Sequence, residues 1–197
     1  MVDRKMSIHS QTMTKSSRGV SLIEVLITIV ILAVGLLGLA GLQVRLQTSE
    51  VESYQRTHAL MLLEDMADRI AVNRKNIADY VTAAPLGTGD GLPTACAGVG
   101  QALDECEWSN ALKGAAETSA GTNVGAMIGA RGCIDDLGTG DQYMITIAWQ
   151  GLTPISVPAS NCGAGLYDSA AGEGNCVGDL CRRTISTMVR VADLGSP

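Results

Sequence analysis

Between Val20 and Leu42 the chain runs for 23 residues with a single formal charge, Glu24. A bilayer is spanned by about 20 apolar residues, so the run is long enough to cross one. The apolar core of a secretory signal peptide is shorter, roughly 7–15 residues, and ends at small residues such as Gly38 and Ala40. A plain single-span anchor fits the length and leaves Glu24 without a task. A core helix of a soluble domain rarely carries 18 or more apolar residues in succession. A carboxylate in an inserted segment costs about 2.5–3.5 kcal/mol at the bilayer centre and less near the interface. Any fold must therefore cover residues 20–42 with lipid or other apolar helices, and must give Glu24 a partner.

Arg4, Lys5, Lys15 and Arg18 precede the run. By the positive-inside rule that end is expected in the cytoplasm and everything after Leu42 outside the inner membrane. The whole chain carries a net charge of −6. Four of its 14 basic residues and one of its 20 acidic ones lie in residues 1–19, so the remainder carries −9. No basic patch survives to attract a polyanion, and nucleic acid is not an expected partner.

The six residues Gly19-Val20-Ser21-Leu22-Ile23-Glu24, set between a basic leader and an apolar run, resemble the prepilin family of type IV pilins and pseudopilins. In that family a prepilin peptidase cuts after the glycine and methylates the new N-terminus, and a glutamate stands fifth in the mature chain. The resemblance implies a leader over residues 1–19, processing at Gly19 and Val20, and Glu24 as the assembly and register residue. It also implies that the Glu24 carboxylate pairs with the methylated amine on Val20 of its own subunit or on a neighbour's first residue. Phe is usual at the first mature position, where this chain has Val20. A start at Met13 would leave the leader Met-Thr-Lys-Ser-Ser-Arg-Gly, closer to the family's in length than a start at Met1 or Met6.

About 155 residues follow the apolar run, enough for one small domain. With no Phe, two Trp and four Tyr, its core depends on aliphatic side chains that bury less area each. Small domains with thin cores often need covalent support. Six cysteines supply it: Cys96, Cys106, Cys133, Cys162, Cys176 and Cys181. An even count in an exported domain reads as disulfides. The shortest separations favour Cys176–Cys181 and then Cys96–Cys106, while the count alone leaves connectivity open. Zinc is the competing reading, but there is no Cys-x-x-Cys, and neither His9 nor His58 is near the cysteines in sequence. No metal site and no cofactor are expected.

From Val51 to Ile70 the residues Val51, Tyr54, Ala59, Leu62, Leu63, Met66, Ala67 and Ile70 recur at spacings near three and four, with charged residues between them. That pattern predicts an amphipathic helix continuing the apolar one. No proline precedes Pro85, so a helix from Val20 to about Asn76 is allowed, some 85 Å at 1.5 Å per residue. Gly35, Gly38 and Gly41 are its weak points and also clear part of its surface for close helix approach. Residues 85–140, rich in Gly, Ala, Ser, Thr and Asn, predict a long surface connection. Gln142–Gln150 and Arg183–Val191 alternate and predict strands, and Ile155–Val157 between two prolines predicts a short edge strand. A helix followed by an antiparallel sheet is an α+β order. It matches the pilin fold implied by the resemblance, with the first half of the helix spanning the membrane and the loops stapled by disulfides. The expected division is 1–19 leader, 20–45 transmembrane and assembly helix, 46–76 amphipathic half, and 77–197 globular head.

Catalytic signatures are absent: there is no Gly-x-Ser-x-Gly elbow, phosphate loop or His-Glu-x-x-His. His58 lies beside the apolar stripe, where a partly buried structural role is expected, and Asp135–Asp141 reads as a solvated turn rather than a Ca²⁺ loop. A structural subunit is expected, not an enzyme. Ala148–Thr153, Asn161-Cys162-Gly163, Arg182-Arg183 and Gly35–Gln43 resemble PilV-type minor pilins. That resemblance implies a low-abundance subunit of the priming complex at the pilus tip, promoting assembly and with it adhesion and twitching. Its implied partners are other minor pilins and the major pilin through the N-terminal helix, prepilin peptidase, and the inner membrane before assembly. The I-type minor pseudopilins of type II secretion share the N-terminus and stand as the alternative, with a single-span anchored binding domain as a third reading.

Overall fold

The computed structural model describes residues 19–115, 118–119, 122–123, 127–170 and 174–191. The expected leader, Gly19 apart, lies outside the described residues. The elements are α1 (Leu22–Val72), a 3-10 helix (Arg74–Tyr80), β1 (Leu86–Gly87), α2 (Gln101–Leu112), β2 (Thr118–Ser119), β3 (Thr122–Asn123), β4 (Arg131–Asp136), β5 (Gln142–Gln150) and β6 (Arg182–Arg190). β2 and β3 pair with each other. The other four strands form an antiparallel sheet in the order β1-β4-β5-β6. This is an α+β fold of the pilin type, with a long N-terminal helix whose later part lies on a small antiparallel sheet. The chain divides between Leu46 and Gln47 into two compact units.

In the first unit residues 19–46 are exposed throughout. The most apolar 18-residue stretch of α1 has a mean hydropathy of 2.8, sufficient in length and composition to cross a membrane. Thr28 donates its hydroxyl to the Val25 carbonyl at 2.8 Å, so this polar group is satisfied within the helix and needs no water.

In the second unit the core is built on one stripe of α1. Ala59, Leu63, Met66 and Ile70, spaced four, three and four apart, are buried. Each fully buried aliphatic side chain of Leu, Met or Ile size contributes roughly 1.5–3 kcal/mol. Carried back toward the N-terminus, the stripe meets Gln55 and Glu52, not the Tyr54 and Val51 of the sequence pattern; Tyr54 is 52% exposed and stacks on a half-buried His58. Facing the stripe, β5 points Tyr143, Ile145, Ile147 and Trp149 inward. Ile134 of β4 stands across from Ile145, and Ile185 of β6 across from Ile147. Alternation made β5 and β6 legible, with β6 beginning one residue earlier than expected.

Two expectations are corrected. The stretch 85–140 is not one long surface connection, because it contains α2, β1 and β4. α2 buries Trp108 and Leu112 completely, and β4 buries Gly132, Cys133 and Ile134. The segment Ile155–Val157 is not a strand. Ile155 donates its backbone N–H to the Leu180 carbonyl, both apolar side chains are exposed, and the segment pairs with no strand among the described residues.

Trp108 joins three elements. Its ring lies against Gly132 of β4, and its indole N–H donates to the Leu62 carbonyl of α1 at 2.8 Å. A Cβ at Gly132 would come within 2.1 Å of the ring. Beside it, Arg69 of α1 pairs with Asp65, and with Asp104 and Glu107 of α2, at 2.7–3.1 Å. Burial works against the Arg69 charge, but the hydrogen bonds to these carboxylates outweigh it and raise its pKa. Tyr80 donates to Asp104 and accepts from Asn73; burial first, and the Asp104 bond second, push its hydroxyl up to about 12.

The far end of α2 is held by Asp90. Its side chain is 5% exposed and pairs with Lys113. It also accepts from Ser109 and from the backbone N–H groups of Gly87 and Leu92, at 2.7 and 2.9 Å for the two backbone donors. Burial favours the neutral acid, but the bonds from Lys113, Ser109 and the backbone prevail and hold it down at about 2.

Two outcomes are expected. Gly132→Ala drives a methyl into the Trp108 ring, lowering stability by about 1–3 kcal/mol, read as a fall in the thermal midpoint with quenched-tryptophan packing lost. The depressed Asp90 carboxyl contributes stability that is complete above the ordinary aspartate value. This contribution is lost as pH falls toward 2. The Asp90→Asn variant is therefore less stable than the parent at neutral pH, by about 1–2 kcal/mol, and the gap closes in acid. Denaturant titrations at pH 7 and pH 2.5 check this, and a gap independent of pH overturns it.

Candidate processing and assembly site

Gly19, Val20 and Ser21 lie outside any helix or strand and are exposed, and α1 starts at Leu22. The Ser21 carbonyl opens the helix by accepting the backbone N–H of Glu24 at 3.0 Å and of Val25 at 3.2 Å. Gly19 and Val20 thus form an accessible peptide bond just outside the first turn, and Val20 is 70% exposed. Glu24 sits in that first turn. A carboxylate there is favoured by the unpaired N–H groups and dipole of the helix N-terminus. Cleavage after Gly19 would place a new cationic amine at the same helix end, where the dipole disfavours it and where Glu24 is the nearest formal charge in sequence. Gly35, Gly38 and Gly41 have open space around them, with nothing within 4 Å of an added Cβ.

The six cysteines form three disulfides: Cys96–Cys106, Cys133–Cys162 and Cys176–Cys181. The first closes the loop entering α2. The second ties β4 to the connection between β5 and β6, on the sheet face away from α1, where Cys133, Cys162, Ala148 and Tyr167 form a second small core. The third closes the turn before β6.

Sequence stretches that seemed unrelated converge on that 151–181 connection. Arg182 is 2% exposed. Its guanidinium donates to the carbonyls of Ser160, Cys162 and Pro158, and pairs with Asp179 at 3.2 Å. Arg183 donates to the Thr153 carbonyl at 2.6 Å and pairs with Glu52 of α1 at 3.3 Å. Glu52 also accepts from the Leu152 N–H and the Thr153 hydroxyl. Gly151 leaves the room that Arg183 fills, since a Cβ there would lie 2.6 Å from the guanidinium carbon. Gly163, at φ +66°, lies beneath the Tyr167 ring. In the sequence pattern Glu52 is one of the charged residues between the apolar positions; its match to a distant Arg-Arg pair is a signal that spacing alone does not reveal. In the turn between β4 and β5, Asp136 accepts the Gly138 N–H and Asp141 pairs with Arg190 at 2.7 Å, holding the Asp141 carboxyl below its usual range.

With this geometry in place, two family models match the chain. A prokaryotic N-terminal methylation motif covers residues 14–40, and a model described as type IV pilin Tt1218 covers residues 41–107. The two matches abut, one on the apolar segment and one on the amphipathic helix through most of α2. Both are similarities to type IV pilins, and neither model covers half of the chain. They support a pilin or pseudopilin role, and the motif fits prepilin peptidase processing and membrane anchoring. No curated protein and no solved structure matches the chain.

Truncation of Arg182 leaves three carbonyls without that donor, and the Asp179 carboxylate with the Gly165 N–H but no cation. Arg182→Ala is expected to destabilise the head by about 3–5 kcal/mol, the range for breaking a buried charge pair. Limited proteolysis is expected to cut first within 151–181; protection equal to the parent's overturns this role.

Proposed function

We propose that the chain is a minor pilin of the type IV pilus, a PilV-type subunit of the priming complex at the pilus tip. The observation that carries it is the Gly19–Glu24 motif at the start of a helix whose residues 20–42 carry no formal charge but Glu24 and are exposed. An anchor needs only lipid around it. A helix with a carboxylate one turn from a cleavable glycine has a reason to meet other helices. The convergence of the 148–153, 161–163 and 182–183 stretches on one clasp supports the PilV-type assignment, since the resembling residues act together. Under this reading residues 1–19 are the leader, 20–45 insert and assemble, 46–76 carry the head, and 77–197 form it on the periplasmic side before assembly. The partners are the major pilin and other minor pilins through residues 20–45.

Glu24 supplies the register. Before cleavage the nitrogen of Val20 is an amide and offers no charge. After cleavage and methylation it is a cation four residues from Glu24, in a medium where an unpaired charge costs about 3–5 kcal/mol. A neighbouring helix is then held at the axial position that pairs amine and carboxylate. Gly38 and its neighbouring glycines let backbones approach closely beside that pair.

Mass spectrometry of the membrane-extracted protein is expected to show loss of residues 1–19 and one added methyl group. Glu24→Ala is expected to be inserted and processed yet to fail in restoring surface pili and twitching to a deletion strain. Cleavage near Ala40 would remove the prepilin reading, and normal pili with Glu24→Ala would remove the register role. Loss of secretion rather than of pili in the deletion strain would favour the pseudopilin alternative. Rescue by residues 45–197 exported alone would make the helix a mere anchor.

A further inference from the structure

A cavity of about 550 Å³ opens between the 79–92 segment, α2 and β4. That volume lies within the range of small-ligand sites, roughly 300–1,000 Å³. Its charged lining falls into two groups. Asp90 is already satisfied by Lys113 and by hydrogen bonds from Ser109, Gly87 and Leu92, so it is part of the wall. The others are not neutralised. Glu105 of α2 takes a hydrogen bond from the Gln101 amide and has no cation within ion-pair distance among the described residues; burial raises its pKa. Asp79 likewise has no ion pair among the described residues. Arg131 of β4 donates to the Gly129 carbonyl at 3.1 Å and lies 5.0 Å from the Tyr167 ring centroid, and no described carboxylate pairs with it. The nearest strong cations of the head are committed elsewhere, Lys113 to Asp90 and Arg69 to three carboxylates.

An unpaired acid and an unpaired guanidinium therefore line one cavity without pairing with each other, over a floor that includes Pro85, Leu86 and Leu166. A ligand carrying both signs satisfies both walls at once. Other classes fit less well. No three metal-ligating side chains cluster among the described residues, which leaves a divalent cation short of donors. No aromatic side chain lines the cavity to stack a sugar or a base. A phosphate would meet one arginine and two or more carboxylates.

We propose that this cavity binds a peptide-like ligand bearing an ammonium and a carboxylate, with the ammonium at Glu105 and the carboxylate at Arg131. The two charges can be the free ends of a short peptide or lysine and glutamate side chains within a longer one. The proposal concerns the head alone and holds whichever machine the subunit serves.

The test is calorimetric titration of the full-length protein in detergent micelles with three probes. These are trialanine with free ends, trialanine acetylated and amidated, and an end-blocked peptide carrying one internal lysine and one internal glutamate. Saturable binding of the first or third probe, and not of the blocked trialanine, is expected; which of the two binds identifies the source of the charges. Glu105→Gln and Arg131→Gln are each expected to weaken that binding by roughly tenfold or more, as when one charge of a desolvated pair is removed. Because Arg131 also covers Tyr167, Glu105→Gln carries the test if Arg131→Gln does not fold, and its thermal midpoint is expected to match the parent's. Absence of saturable heat with both charged probes overturns the proposal. Equal binding of the blocked trialanine, or undiminished binding in Glu105→Gln, overturns it as well.

Discussion

One helix changes from apolar on every side to apolar on one stripe, and the rest of the molecule follows from that constraint. The first part of α1 is apolar on every side, so no domain packed on one face of it would be enough. The later part is apolar on a single stripe, and that stripe packs on one face of a four-stranded sheet. The change falls near Leu46, where the compact units divide. The head contains few large side chains, so the few it has are placed where they bridge elements. Trp108 contacts α1 and β4 at once, and Tyr80 and Tyr167 each combine burial with a hydrogen bond.

Three carboxylates show how differently a charge is accommodated along this chain. Asp90 is enclosed and fully bonded by its own domain. Glu52 is half-covered and closes a clasp between α1 and the start of β6. Glu24 has no partner among the described side chains and sits in the first turn of the helix. The first two stabilise a fold; the third is left, under the reading proposed above, for a group created by processing or carried by another subunit.

Much of this was legible in the sequence. Length and apolarity fixed the first half of α1, alternation fixed β5 and most of β6, and the parity of the cysteines pointed to disulfides. What was hidden was hidden for physical reasons. α2 presents only Trp108 and Leu112 as large buried residues, too few to show a helical period. β4, Arg-Gly-Cys-Ile-Asp-Asp, does not alternate, because Gly132 is there to accommodate a ring from another element and Cys133 faces a disulfide on the opposite side. Ile155 and Val157 had the composition of a strand, yet the prolines beside them and the lack of a neighbouring strand left them as exposed loop. The opening motif was readable because its chemistry is local. The Glu52–Arg183 clasp was not, because its partners are 131 residues apart.

That separation has a consequence for biogenesis. Chains emerge N-terminus first, at roughly 5–20 residues per second. The stripe at Ala59, Leu63, Met66 and Ile70 is made early, and the three long strands that cover it, β4, β5 and β6, come much later, with β6 the last described. Helix formation is local and fast, while closure of the sheet waits on distant pairing. Until β6 is made, then, the helix carries a bare hydrophobic flank, and that strand and its neighbouring disulfide are what close the domain.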